Sequence, residues 1–251
     1  MENNPYLSVI IPAYNEEKSI SKTLLSIDEY LTKQHYEYEI LVCDGGSKDK
    51  TREIARDFEK TIKNLRLFLV EGGFSKGHVV KKGILEAKGQ YRLFMDADNA
   101  TTLDHVEKML PYFQQNYEVI IGTRDSRDIK TAKQAVPQSW FKRFLGDIGN
   151  LMIQVLAVPG IWDTQCGFKA FSAKAAETIF SLVTIKGWGF DIEVLALARK
   201  LNYRIALIPV YWVNDPNSRV NLRGYLLTFL ELFQIKWQLM TDKYGLKAFK
   251  K

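Results

Sequence analysis

The chain is poor in sulfur and histidine and has no long apolar run. Among its 251 residues are two cysteines and three histidines. Cys43 and Cys166 lie far apart, too few for a disulfide framework and without zinc-ligand spacing, so they read as core or loop thiols in a reducing compartment. His35, His78 and His105 have no mutual spacing that suggests a metal site. No stretch reaches ~18 uninterrupted apolar residues, so no segment is expected to span a bilayer. The amino-terminal stretch MENNPYLSVIIPAYNEE lacks a basic segment followed by a long apolar run, so no secretory signal is expected. No linker, low-complexity segment or internal repeat divides the sequence, and a single domain over 1–251 is expected. These absences fit a cytoplasmic protein.

What remains is globular in character. The chain is 46% hydrophobic and 25% charged, proportions that exclude a disordered chain and allow one large core. The net charge of +6 suits anionic lipid or a phosphorylated substrate. The cations are scattered, many near helix ends, so nucleic acid is not an expected partner.

The first half alternates between two periodicities. Apolar runs at Leu7–Ile11, Tyr38–Cys43, Leu65–Val70, Tyr91–Met95 and Glu118–Ile121 read as strands. Helical patterns lie between them: one opening at Asn15-Glu16-Glu17, then Lys50–Glu59, Lys76–Ala87 and Leu103–Phe113. Repeated strand–helix units predict an α/β fold whose mainly parallel central sheet is flanked by helices. The second half is less regular. Long apolar helices are expected over Trp140–Val158 and Leu222–Met240, shorter ones over Ser172–Phe180 and Phe190–Leu201, a loop around Asp163–Lys169 and a strand near Arg204–Val210.

Acidic and polar residues collect where the strands end. Tyr91–Met95 runs into Asp96-Ala97-Asp98, the first strand into Pro12-Ala13-Tyr14-Asn15-Glu16, and the second into Asp44-Gly45-Gly46-Ser47-Lys48-Asp49. Open α/β sheets keep their ligands at the carboxyl ends of strands. Paired carboxylates there suit a hard cation, Mg²⁺ or Mn²⁺, that carries substrate phosphates. An Asp-x-Asp alone also occurs in solvated turns, and three such turns on one edge favour the site. Asp44 is placed to accept from a nucleotide base, Gly45 and Gly46 let backbone approach a ligand, and Ser47 and Asp49 read as caps of the next helix.

Pro12-x-Tyr14-Asn15-Glu16, Asp44-Gly-Gly-Ser47-x-Asp49-x-Thr51, Lys76-Gly77 and Asp96-x-Asp98 together resemble the family 2 glycosyltransferases of the GT-A fold. The resemblance covers nearly the whole chain, and it implies a nucleotide-sugar-binding fold with a nucleotide half over 1–122 and an acceptor half over 123–251. It implies that Pro12, Tyr14, Glu16, Asp44, Lys76 and Asp96 hold the nucleotide and that Asp96 and Asp98 hold a divalent metal on the diphosphate. Asp163–Lys169, Gly187–Glu193 and Ser218-Arg219-Val220 resemble motifs of the polyprenyl-phosphate sugar transferases. Asn99-Ala100-Thr101 after the second Asp is closer to the dolichyl-phosphate glucosyltransferase pattern than to the mannosyl one, which has Gln where this chain has Ala100. UDP-glucose is the donor so implied, with Gln165, Lys169 and Trp188 in the acceptor and sugar pocket. Gly46 is one glycine more than the family's motif, and the transmembrane helices of many relatives have no counterpart up to Lys251.

On the acceptor side, a guanidinium matches phosphate oxygens with paired donors. Arg124 and Arg219 lead, with Ser218 beside the latter, and Arg143, Lys142 and Arg204 follow; any of them also reads as a solvated cation. Asp191 stands at a helix start, where an acid suits the helix dipole. With a hydroxyl acceptor it is the natural general base and joins Asp96 and Asp98 as catalytic; with a phosphate acceptor it orients sugar hydroxyls or a cation. Glu193, deeper in that helix, reads as a partner of a basic residue or as a site group.

A lipid acceptor requires contact with a membrane. Trp140–Leu145 and Leu222–Met240 mix aromatics, aliphatics and cations as an interfacial helix does, although either could pack on the sheet or on a partner. The sequence thus predicts an inverting, metal-dependent hexosyltransferase, peripheral on the cytoplasmic face of a membrane, acting from UDP-glucose on a polyprenyl or dolichyl phosphate. The alternatives are a GDP-mannose-dependent relative, a transferase with a saccharide hydroxyl acceptor, and a non-catalytic nucleotide-sugar-binding module.

Overall fold

The computed structural model describes residues 4–134, 149–212 and 222–249. Strand β1 (Leu7–Ala13) is followed by α1 (Ile20–Leu31), β2 (Tyr38–Asp44), α2 (Thr51–Glu59), β3 (Leu65–Leu69), α3 (Lys76–Glu86) and β4 (Tyr91–Met95). Next come a 3-10 helix (Leu103–Lys108), the short α4 (Leu110–Gln114), β5 (Val119–Thr123) and β6 (Lys133–Gln134). The rest comprises α5 (149–156), β7 (Phe168–Ser172), α6 (Ala173–Leu182), α7 (Phe190–Lys200), β8 (Ile205–Pro209), β9 (Tyr211–Trp212), α8 (Leu222–Met240) and a second 3-10 helix (Leu246–Phe249).

Seven strands form one sheet in the order β3-β2-β1-β4-β7-β5-β8, and only β7 runs against the others. β6 and β9 pair separately. Both faces of the sheet are covered, which is why its strands read as apolar runs. Ile10 and Phe94 face α3, α6 and α7, whereas Val9, Ile11, Leu93 and Met95 face α1 and the 3-10 segment. The strand order turns at β1, whose neighbours are β2 and β4, and such a reversal opens a crevice at the carboxyl edge.

Strand β4 and helix α8 fall where the apolar pattern places them. The first helix starts later than expected, at Ile20, because Asn15 takes a left-handed φ of 55° and a turn intervenes. The Leu103–Phe113 pattern divides at Met109, where Pro111 enters the first turn of α4 and has no N–H for the helical ladder. The expected Trp140–Val158 helix lies partly outside the described residues; 149–156 are helical.

The main departure is β7. Phe168–Lys169 read as loop because a lysine interrupts a short apolar run. The segment instead inserts antiparallel between β4 and β5, with Met95 opposite Phe168 and Tyr91 opposite Ser172. Reversal puts the start of β7, and the loop before it, at the edge where β4 ends.

Candidate active site

The loops after β1 and β2 are fastened to each other before any ligand is considered. Asn15 N donates to Ser47 Oγ (2.9 Å), and Lys48 N donates to Asn15 Oδ1 (2.8 Å). Glu16 N donates to Thr51 Oγ1 (2.7 Å), Glu17 N to Asp49 Oδ2 (3.1 Å), and Lys50 N to Glu17 Oε2 (3.1 Å). The polar motif residues therefore satisfy backbone groups across the β1/β2 edge. Asp49 also accepts from Thr51 N at the start of α2, as a cap would, while Ser47 serves the other loop instead.

Asp44 is fully buried and its oxygens serve its own turn. It accepts from Gly46 N (3.0 Å), Ser47 N (3.1 Å) and Arg52 Nε (2.5 Å). Burial alone would raise its pKa; the hydrogen bonds from Ser47, Arg52 and Gly46 hold it below the usual carboxylate range. Gly46 has φ 97°, which accounts for the additional glycine. Gly45 has a packing reason of its own, since a Cβ there would come within 2.8 Å of Phe74 and Val79. Phe74 then stacks on Tyr14 at 4.4 Å between ring centroids and 13° between planes. Pro12 lies within β1, paired with Cys43.

At the neighbouring strand end, Asp96 and Asp98 follow β4. Asp96 N donates to Gly167 O (3.1 Å), and the Asp96 carboxylate rests where a Cβ on Gly167 would be. Asp98 Oδ1 accepts from Ala100 N (2.9 Å) and closes a turn through Asn99, at φ 55°. Lys76, the first residue of α3, reaches Asp96 Oδ1 at 2.7 Å and lies 5.0 Å from the Trp188 ring centre. Its place follows from Gly77. A Cβ there would come within 2.6 Å of Phe190 and 2.9 Å of the Ile185 and Lys186 carbonyls, so only glycine lets α3 approach α7 so closely. Burial by itself would lower the Lys76 pKa; Asp96, Asp191 and Asp98 outweigh it and raise it.

Beneath this surface pair lies a second one. Lys169, the second residue of β7, is fully buried, and its ammonium contacts Asp191 Oδ1 and Cys166 O, each at 2.5 Å. Asp191 is 2% exposed. Burial pushes its carboxyl above the usual carboxylate range, and the ammoniums of Lys169 and Lys76 offset only part of that rise. Charges thus alternate from the open edge inward: Asp96, Lys76, Asp191, Lys169. Gln165 is exposed, with Nε2 at 3.5 Å from Trp188 O, which brings two of the three expected pocket residues together, while the third, Lys169, is buried beneath them.

The Gly187–Gly189 turn over the site is held by Glu231 of α8. Gly189 N donates to Glu231 Oε2 (2.7 Å), and side chains at Gly187 or Gly189 would overlap that carboxylate. Sequence reasoning missed Glu231, although a signal existed: it is the one acid in Leu222–Met240. Glu193 acts on the Lys81 ammonium, but its hydrogen bonds are structural. It accepts from Thr184 N and Oγ1, Ile185 N and Tyr244 Oη, all at 2.7–3.1 Å.

Arg124, just beyond β5, is bound to Asp163 through its backbone N (2.7 Å), Nε (2.8 Å) and Nη2 (2.7 Å). Burial would raise the Asp163 pKa, and the guanidinium lowers it. Arg204 is not brought here. It precedes β8, at the opposite edge of the sheet, where it donates to Gln115 O (2.7 Å) and lies over Tyr117. Arg143, Ser218, Arg219 and Lys142 lie outside the described residues. Among the described residues no group of three or more His, Cys, Asp or Glu converges.

Known proteins resemble this chain in sequence and in fold. The family described as Glycosyl transferase family 2 matches residues 8–180. A dolichyl-phosphate beta-glucosyltransferase of Dictyostelium discoideum is 34% identical, over 87% of this chain and 70% of that protein. The protein of that name from Mus musculus is 31% identical, over 98% of this chain and 79% of its own length. Among solved structures, glucosyl-3-phosphoglycerate synthase from Mycobacterium tuberculosis, in complex with Mn²⁺, UDP and phosphoglyceric acid, superposes with a TM-score of 0.67. That match is 16% identical and covers 92% of this chain and 78% of the other, a likeness of fold.

Proposed function

Because the chain belongs to glycosyl transferase family 2, we propose that it moves glucose from UDP-glucose to a dolichyl or polyprenyl phosphate at a membrane surface. The observation that carries the acceptor assignment is the state of Asp191. A hydroxyl acceptor needs a base, and this carboxylate is buried and bound to Lys169. A phosphate monoester has its second pKa near ~6 and attacks already ionised at neutral pH. Asp191 is therefore not exposed to take a proton from a hydroxyl, which suits a phosphate nucleophile.

A divalent cation fits the donor set. Two carboxylate oxygen donors leave most positions for water and diphosphate, the pattern expected of Mg²⁺ or Mn²⁺. Gly167 supplies the space in which the Asp96 carboxylate lies. Bound there, the cation would neutralise charge on the departing diphosphate. Lys76 supplies a second positive charge at that edge and keeps Asp96 oriented. Asp191 and Lys169 hold the Lys76 side of the edge from beneath, and Gly187–Gly189 places Trp188 over it. Attack on an α-linked donor from the face opposite the nucleotide gives a β-linked product.

The approach to lipid is supplied by α8. Leu226, Leu230, Phe233, Trp237 and Met240 recur every three or four residues and are 52–75% exposed. They form an apolar stripe on the solvent side of a helix whose other side is also apolar, through Leu232 and Ile235. An outward stripe of this size marks an interaction surface. No helix among the described residues is long and apolar enough to cross a membrane. Lying in the interface suits α8, and Glu231 on the same helix contacts the turn over the site.

The test is a donor and metal screen with a short polyprenyl phosphate, product identified by mass. UDP-glucose should give a glucosylated lipid phosphate. EDTA should reduce the rate at least ~10²-fold, and Mn²⁺ or Mg²⁺ should restore it. Transfer from GDP-mannose alone would overturn the donor, and transfer only to a saccharide hydroxyl would overturn the acceptor. Gly167→Ala tests the seat of Asp96. Its methyl displaces the carboxylate, and a misplacement near ~1 Å is expected to lower kcat/KM about a hundredfold while the circular dichroism spectrum is retained.

A further inference from the structure

We propose that the cleft between α5, α7 and α8 seats the headgroup of an anionic phospholipid, at a place separate from the reacting groups. The inference rests on the reading that α8 lies on a bilayer and adds to it which lipid the surface prefers.

The cleft has a volume of about 440 Å³. Leu156, Ala157 and Leu239 give it apolar walls, while Arg199, Lys200 and Lys236 bring three cations to it, and among the described residues no carboxylate lines it. Arg199 and Lys200 end α7, where a cation also complements the helix dipole. The dipole does not account for Lys236, which comes from α8, or for the apolar walls between the cations. Packing against the cleft lowers the Arg199 pKa, with no carboxylate acting on it among the described residues. An external anion would offset that partial desolvation.

The position of the cleft identifies the source of the anion. Val155 and Met240 line it and are also 70% and 75% exposed, so its mouth is continuous with the apolar stripe of α8. A soluble anion uses the cations but neither the walls nor the stripe. A phospholipid uses all three, its phosphate on the cations and its chains along the apolar side. Eight residues of α7 separate Asp191 from Arg199, about 12 Å along the helix axis, so this headgroup is not the acceptor at Asp96. With the stripe running between them, one face of the protein meets lipid at both ends.

The experiment is vesicle co-sedimentation of the full chain without any polyprenyl phosphate. One set of vesicles is phosphatidylcholine, the other an equimolar mixture with phosphatidylglycerol. Wild type should bind both, and the mixed vesicles at least tenfold tighter, since each cation near an anionic surface contributes about fivefold. The triple variant R199Q/K200Q/K236Q should lose that preference yet still bind phosphatidylcholine. It should keep the wild-type thermal unfolding midpoint and its transfer rate with a detergent-dispersed short acceptor. The variant K33Q/K60Q/K63Q, with the same change in net charge on the far side of the sheet, should keep the preference. Retention of the preference by the first triple variant overturns the cleft assignment, as does competition by glycerol phosphate at a concentration that leaves phosphatidylcholine binding intact. Failure of wild type to bind either vesicle overturns the α8 reading itself. Concentration-dependent dimerisation that the first triple variant abolishes would assign the cleft to a second copy of the chain and overturn the lipid.

Discussion

Asp98→Ala should reduce sugar transfer at least ~10³-fold, about 4 kcal/mol of transition-state stabilisation. The side chain has two functions that can be separated. One oxygen closes the turn by accepting from Ala100 N at 2.9 Å, and the charge serves the proposed cation. Loss of the turn hydrogen bond costs about 1 kcal/mol, which lowers the melting temperature of a chain this size by roughly 2–4 °C. Asp98→Asn keeps an oxygen for the turn and removes the charge. It should therefore melt with wild type and lose activity as the alanine variant does. A steady-state assay beside a thermal melt distinguishes the two functions. An asparagine variant with more than a tenth of wild-type activity would contradict a metal role for Asp98.

Lys169→Met should be the most destabilising of the substitutions considered. Methionine matches the length of the lysine stem but leaves the Asp191 carboxylate, 2% exposed, without its nearest counter-charge. Removing one partner of a buried ion pair costs about 3–5 kcal/mol, or roughly 6–20 °C in melting temperature at this chain length. Lys76 also acts on Asp191 and should hold the loss towards the lower end. Lys169→Met combined with Asp191→Leu removes both charges and should recover most of the stability, since an apolar pair of similar volume replaces a desolvated one. Recovery of stability without recovery of full transfer would show that the pair also positions Lys76. A single variant within about 1 kcal/mol of wild type in denaturant unfolding would mean the carboxylate is protonated or solvated there.

Much of the edge was legible because it is local. The β1, β2 and β4 runs end in polar turns within a few residues, and a parallel sheet with crossover helices places those ends together. That logic placed Asp96 and Asp98 beside the β1 and β2 turns before any coordinate, and the family resemblance added Lys76. The structure adds what the polar residues of those turns do within the protein itself. Asn15, Ser47, Asp49 and Thr51 fasten two loops, Gly45 makes room for Phe74, and Asp44 serves its own turn. Ligand-like spacing and loop-closing spacing are the same in one dimension, because both require short polar side chains beside tight backbone.

What the sequence determined by itself was the α/β class, the three acidic turns on one edge and the two-sided apolarity of α8, since each is written in periodicities of two or about 3.6 residues. The tertiary structure decided the rest. A lysine within a five-residue strand gives no strand signal, so only the sheet shows β7 running antiparallel beside β4 and carrying Gly167 to Asp96. Only packing shows that Asp191 is held by Lys169, that Glu231 reaches the Gly187–Gly189 turn from 42 residues away, and that Arg204 stands at the other edge. Such pairings join residues far apart in the chain, and they depend on strand direction and helix approach, which no local pattern encodes.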